Sequence, residues 1–283
     1  MKEKKSMKGY IDLHTHSVKS DGSMQPAELV RYAHSRGLSA IALTDHDSTD
    51  GIKEALAQGE ESGIEVVPGI EFSVQSDTET HILGYFIDVD NPGLVKGLEA
   101  IKKSRTERFY DTHRLLENIG IHLDIDEILA SAPNGIVGRA HFAKAMTEKG
   151  YTASVKEAFD KYLSAGKPAY SGNIKTSPEL AISLIRGAGG KAFLAHLHLT
   201  KKSGEQLERL LSRLVEMGLE GIEGYYTDYT PEMGREYRAL AEKYSLRVSG
   251  GTDFHCKMKP HIEIGTGYGD MAIPYSVLEE MRA

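Results

Sequence analysis

The sequence predicts an α/β fold: a barrel-like arrangement of seven strands with intervening helices, interrupted by a helical insertion. Short apolar runs rich in β-branched residues alternate with segments of helical period, the signature of repeated βα units. About a hundred residues between the fourth and fifth runs carry no strand signal, which is too long for a simple βα connection. A length of 283 residues with 40% apolar and 27% charged content fits a globular chain and excludes a disordered or fibrous one.

Strands are expected over 10–16, 39–45, 64–71, 80–87, 191–197, 221–226 and 246–252. After the first, Pro26 suits an opening helical turn and Gly37 stops it, giving a helix over 26–36. The strand-free block reads as a long helix near 94–118 and shorter ones near 125–131, 138–149 and 154–164, followed by a loop through GKPAYSGN. Ser177, Pro178 and Glu179 then open a helix to about Arg186, which a Gly-rich stretch at 187–190 ends. Residues 204–217 and 232–244 complete the helical pattern. The expected organisation is therefore a first barrel segment over 9–100, the insertion over 101–175, overhanging one end of the barrel, and a second barrel segment over 176–283.

Composition narrows the chemistry. No run approaches the roughly 18 apolar residues of a membrane span, and the basic start MKEKKSMKGY lacks the apolar segment of a secretory signal. A cytoplasmic protein with no membrane partner is expected. The single cysteine, Cys256, excludes an internal disulfide and a zinc-ribbon framework. Twelve histidines beside it mean that any metal chemistry uses nitrogen and oxygen ligands. The net charge of −7 offers no basic field for nucleic acid at large. Within 101–175, however, 12 Lys and Arg face 9 Asp and Glu, either a solvated helical surface or a surface that favours an anion.

The first strand reads YIDLHTH, so period-two alternation places Asp12, His14 and His16 on one face. Two adjacent inward imidazoles would repel if charged and need partners if neutral; metal coordination resolves both, and a satisfied core pair is the alternative. The second strand ends in Asp45, His46 and Asp47, the third in Glu71, and the fourth has His81 near its start. The fifth carries His196 and His198, and the seventh closes with Asp253 and His255. Singly, each has a structural explanation such as a helix cap. In a parallel barrel, however, the C-terminal strand ends share one face, where barrel enzymes place their sites. His14, His16, Asp21, His46, Glu71, His81, His196, Asp253 and His255 can converge there. Six imidazoles and three carboxylates exceed what one or two tetrahedral ions need, pointing to three metal positions and a bridging carboxylate.

HTHSVKSDG after Tyr10, LTDHD at 43–47, PGIEFS at 68–73 and GTDFH at 251–255 match in order, and on these motifs the chain resembles the PHP (polymerase and histidinol phosphatase) superfamily of metal-dependent phosphoesterases. The resemblance covers residues 9 to about 270. It is strongest to stand-alone members that act on nucleoside 3′,5′-bisphosphates and short oligonucleotides. It implies a distorted seven-stranded (β/α) barrel with a helical insertion domain, and three divalent ions of Mn, Zn or Fe. Carried onto this chain, His14, His16, Glu71 and Asp253 hold one ion, Glu71 bridges to a second completed by His81 and His196, and Asp21, His46 and His255 hold a third.

The same resemblance, through VGRAHFAKAM and KYLSAGKPAY, assigns Arg139, His141, Lys167 and Tyr170 to the substrate phosphates. Attack on phosphorus by a hydroxide shared between the first two ions is the expected chemistry, with His198 and Asp45 as the candidates to protonate the leaving group. The chain departs from its relatives where Leu197 and His198 replace the usual proline after His196, and where GIEGYYTDYT lacks a histidine. Both departures bear on the leaving-group side of the pocket. The implied substrate is a small phosphorylated molecule, a nucleotide or short oligonucleotide. The alternatives are histidinol phosphate, a cyclic ribose phosphate, or a non-catalytic metal-binding PHP protein, and no DNA polymerase segment is evident. His34, His113, His122 and His261 receive no role.

Overall fold

A computed structural model describes residues 9–130, 138–171 and 176–283. The last two residues of the GKPAYSGN loop, Val137 of VGRAHFAKAM and the final residue of the helix expected over 125–131 lie outside the described residues. In chain order the elements are β1 (Tyr10–Thr15), α1 (Pro26–Ser35), β2 (Ala40–Leu43), α2 (Ile52–Ser62), β3 (Glu65–Ser73), β4 (His81–Tyr85), α3 (Pro92–Asn118), α4 (Ile125–Ala130), α5 (Arg139–Glu148), α6 (Val155–Ala158), α7 (Pro178–Gly187), β5 (Lys191–Leu194), α8 (Gly204–Glu216), β6 (Gly221–Tyr226), α9 (Pro231–Lys243), β7 (Arg247–Gly251), β8 (Ile273–Pro274) and α10 (Ser276–Arg282). They fall into two compact units, one drawn from Met1–Gly97 and Lys175–Ala283, the other from Leu98–Ile174.

The first unit is built on one eight-stranded sheet in the order β7-β6-β5-β4-β3-β2-β1-β8. Its edges approach each other just past β7, where Thr15 bridges to Phe254, and the His16 N–H donates to the Phe254 carbonyl at 2.9 Å. The sheet is thereby rolled into a nearly closed barrel. Closure requires glycine at 251, because a Cβ there would lie 2.3 Å from the backbone nitrogen of His14. The two faces of β2 show how the layers separate. Ala40 and Ala42 pack with Ile11, Leu13, Tyr85, Phe193 and, from α10, Leu278 and Met281. Ile41 and Leu43 pack instead against Leu29, Val30 and Ala33 of α1 and Ile52 and Ala55 of α2.

The α/β class holds, with two differences from the expected barrel. An eighth strand, Ile273–Pro274, pairs antiparallel with β1; two residues ending in proline are too short to show a period. The barrel is also not wholly parallel, since β4 runs antiparallel to both β3 and β5. Seven residues separate Ser73 from His81, too few for a parallel crossover. The reversal matters, because it brings the start of β4, and so His81, to the rim where the other strands end. Helix α2 lies outside the expected set as well: its N-cap residue is Gly51, with no side-chain cap, and Gly59 interrupts its interior.

The second unit has its own apolar core, in which Phe109 and Leu116 of α3 meet Phe142 and Met146 of α5, with Ile128, Leu163 and Ala169. Among the described residues no helix is long and apolar enough to cross a membrane.

Candidate metal centre

The nine expected ligands all lie on the barrel unit, at strand ends or in the loops that follow them. Three groups of side chains each place their ligand atoms within 4.8 Å of one another: His16, Asp21, His46 and His255; His14, His16 and Asp253; and His46, Glu71 and His81. His16 and His46 each belong to two groups, so the sites are contiguous.

Glu71 stands at the centre. Its Oε2 lies 3.3 Å from His14 Nε2, 3.3 Å from His16 Nε2 and 3.1 Å from His46 Nδ1. Its Oε1 lies 2.9 Å from His81 Nδ1 and 3.0 Å from His196 Nε2. Asp253 Oδ1 is 3.2 Å from His16 Nε2 and 3.3 Å from His255 Nδ1, while Tyr226 and Lys259 both donate to Oδ2. Asp21, whose side chain is 53% exposed, closes the cluster at 3.1 Å from His255 Nε2.

These residues fit a metal better than they fit one another. His14 Nε2, His16 Nε2 and His46 Nδ1 are buried and have no hydrogen-bond partner, although all three crowd one carboxylate oxygen. Buried polar atoms are normally satisfied, and an orphaned group marks an ion or a functional role. His81 Nδ1 and His196 Nε2 are 3.2 Å apart and both stand within 3.0 Å of Glu71 Oε1, so three ligand atoms converge on one spot. A cation there would take a lone pair from each.

The titration behaviour has the same origin. Burial opposes charge on Glu71, but the imidazoles of His46, His14 and His81 hold its carboxyl well below the usual range. Asp253 is likewise held well below it, against burial, by His14 and His16. Burial, with His16 beside it, pushes His46 down to about 3 despite the pull of Glu71, leaving the neutral ring that binds metal. Burial also works against a proton on His16, yet the Asp253 and Glu71 carboxylates beside it raise it to about 9. Without metal, protons on imidazoles balance the carboxylates; divalent ions would take their place.

Local backbone strain concentrates here too. Asp47, His196, Asp253 and Cys256 have φ of 47°, 25°, 56° and 57°. Such left-handed conformations cost about 1–3 kcal/mol each in non-glycine residues and persist where surrounding contacts over-determine them.

Asp12, which the period of β1 sets beside His14 and His16, stands outside the cluster. The β1–β2 register shifts between Asp12 and Thr15, and Asp12 accepts hydrogen bonds from the N–H groups of Thr252, Gly265 and His14 and from the Thr252 hydroxyl. It ties β1 to the loops after β7 and belongs to none of the ligand groups. Asp45, a candidate acid, is buried and likewise occupied: Ser17 N, Ser17 Oγ and Ser20 Oγ all donate to it. It organises the loop that carries Asp21. His198 stands half-buried against the rings of Tyr226 and Tyr229, and burial together with His196 lowers its pKa.

On the insertion, Arg139 donates to the Leu163 carbonyl at 3.0 Å and lies over the Tyr170 ring at 5.1 Å. His141 Nδ1 accepts the Gly138 N–H at the start of α5, and Lys167 is exposed. Of the four histidines without an expected role, His113 Nε2 meets the Leu123 carbonyl and His122 pairs with Glu117.

Glu223 is a site residue that sequence reasoning misses. It is fully buried on β6, 2.9 Å from His14 Nδ1, and accepts the His196 N–H at 2.7 Å. Its one sequence signal is an acid inside an otherwise apolar and glycine-rich strand, GIEGYY.

Comparison with known proteins agrees with this geometry. The pattern of the PHP domain family matches residues 12–248. A 3′,5′-nucleoside bisphosphate phosphatase from Chromobacterium violaceum is 35% identical over 257 residues, covering 90% of each chain. The 5′-3′ exoribonuclease Rnm of Escherichia coli K12 is 34% identical over 257 residues, covering 90% of this chain and 87% of its own. A crystal structure from Bifidobacterium adolescentis, described as a metal-dependent phosphoesterase, superposes with a TM-score of 0.75 at 28% identity, covering 96% of this chain and 94% of its own.

Proposed function

The chain belongs to the PHP family of metal-dependent phosphoesterases, and from that membership we propose that it hydrolyses phosphate esters of nucleotides. The reading comprises the 3′-phosphate of a nucleoside 3′,5′-bisphosphate and the 5′ end of short oligonucleotides. The observation that carries it is the division of Glu71. One oxygen faces the unpartnered nitrogens of His14, His16 and His46, and the other faces His81 and His196. A carboxylate so placed suits a bridge between neighbouring divalent ions, and Asp21, His46 and His255 supply a third position.

When bound, such ions lower the pKa of water and neutralise charge on the phosphoryl and leaving oxygens. The protein's own residues supply the rest. Glu71, Asp253 and Asp21 give three negative charges against the six positive charges of three divalent ions, so the filled site attracts a phosphate within an acidic chain. Asp45 holds the 17–22 loop and with it Asp21. With its carboxylate committed in this way, and the His198 ring held neutral, we assign neither as the acid and give His198 the role of lining the leaving-group side. Arg139 and Lys167 are the proposed phosphate contacts on the insertion, one as a planar fork and the other as a point charge, with His141 and Tyr170 beside them. Tyr170 support keeps the Arg139 guanidinium oriented.

Manganese-loaded and zinc-loaded protein should be assayed for phosphate release from a nucleoside 3′,5′-bisphosphate, a 5′-phosphorylated short RNA, histidinol phosphate and a cyclic ribose phosphate. The proposal expects turnover of the first two. Release from histidinol phosphate alone, or from the cyclic ester alone, would overturn the nucleotide reading while leaving the phosphoesterase class intact.

A further inference from the structure

Glu223 touches two ligands that serve different sides of Glu71. Its Oε1 is 2.9 Å from His14 Nδ1, and because a carboxylate only accepts, that nitrogen is the donor; in the neutral ring that a metal requires, His14 Nε2 then carries the lone pair. His14 Nε2 in turn faces Glu71 Oε2 at 3.3 Å. The second oxygen of Glu223 accepts the backbone N–H of His196 at 2.7 Å. That residue turns with φ of 25°, and its Nε2 faces Glu71 Oε1 at 3.0 Å. Glu223 is itself held from behind: Tyr229 donates its hydroxyl proton to the Glu223 carbonyl and accepts the Leu197 N–H, which fixes β6 to the turn that carries His196.

One buried carboxylate therefore sets the tautomer of a ligand on one side of Glu71 and the backbone of a ligand on the other. We infer that Glu223 is a positioning residue that couples the two ion positions flanking Glu71, so that filling one orders the ligand of the other and the ions bind cooperatively. This rests on the proposed reading that His14, His196 and Glu71 hold ions. It goes further in assigning linked occupation to a residue outside the ligand set. Carboxylates behind metal-binding histidines orient the ring and raise its basicity, and losing one costs about 10–100-fold in metal affinity.

The test is a manganese titration of metal-free wild type and Glu223→Gln, followed by calorimetry, with thermal unfolding of both metal-free proteins as the stability control. Glutamine has the same shape but puts an NH2 donor group where one of the two acceptor oxygens stood, so it cannot receive the His14 and the His196 protons on separate oxygens. Wild type is expected to bind manganese cooperatively. The variant should bind about 10–100-fold more weakly, with cooperativity lost, while still unfolding in a single transition. A variant with wild-type affinity and cooperativity overturns the coupling role. Wild type that takes up no manganese overturns the metal reading itself, and the coupling with it. A second measurement needs no variant: nitrogen-15 NMR of zinc-loaded wild type should find the His14 proton on Nδ1, and a proton on Nε2 overturns the inference.

Discussion

The barrel and the insertion use charge in opposite ways. In the barrel unit, Asp12, His14, His16, Asp45, Glu71, His196, Glu223, Asp253 and His255 are all buried, and several imidazole nitrogens among them have no hydrogen-bond partner. In the insertion, the pairs Lys156–Asp160, Lys161–Glu157 and Lys144–Glu148 are solvent-facing neighbours one helical turn apart. Surface pairs of this kind add little to stability, whereas buried ionisable groups are kept only where function or a full set of partners holds them. The contrast separates a region whose polar residues are costly and chemically committed from one whose polar residues mainly keep helices solvated.

Substitution at the centre of the cluster should sharpen that contrast most. Glu71→Ala removes the contact shared by five imidazoles, and we expect loss of metal content and more than about a 100-fold fall in phosphate release, beyond the effect of an outer residue. Elemental analysis and an assay on the same preparation check it. Next comes Asp12→Asn, which sets an amide donor among the N–H groups of Thr252, Gly265 and His14. Leaving such buried donors unmatched costs about 1–3 kcal/mol, read as a lower denaturation midpoint of the metal-free protein.

A pH series probes the same region more gently. His16 rises to about 9 in the metal-free fold, above its ordinary value of 6.5. The stabilisation from its proton is therefore complete below 6.5 and lost as pH rises through about 9. Metal-free protein should melt progressively lower across that window, and manganese uptake at about pH 7 should release protons, seen as a binding enthalpy that varies with the buffer. A flat melting profile and a buffer-independent enthalpy would count against protonated imidazoles in the empty cluster. The smallest effect belongs to the insertion: Lys156→Ala should leave the unfolding midpoint unchanged within error. A clear drop would show that the exposed pairs carry more than the comparison allows.

The two regions also differ in how much of them is legible in the sequence. The strands that bear ligands can be read because β-branched runs end in recognisable clusters such as Asp45, His46 and Asp47, and barrel topology gathers strand ends. What escapes depends on geometry that a local pattern does not encode. Asp12 shares the period of His14 and His16 in sequence, but its carboxylate is taken up by Thr252, Gly265 and the His14 N–H. Strand direction is invisible to periodicity, so the reversal of β4 emerges only from the pairing, although the sequence already places His81 at the strand start. Glu223 lies 209 residues from His14, and only the curvature of the sheet makes them neighbours. Within the insertion, helical period locates α3 and α5 closely, while the proposed roles of Arg139 and Lys167 come from resemblance rather than from any local signature.

Residues scattered from His14 to His255 are proposed to form one metal centre organised around Glu71. A crystal grown with manganese and measured for anomalous scattering tests it most directly. Anomalous peaks are expected on both sides of Glu71, one beside His14, His16 and Asp253 and one beside His81 and His196, with a third beside Asp21, His46 and His255. Density confined to other surfaces, or no anomalous density among these nine side chains, would contradict it.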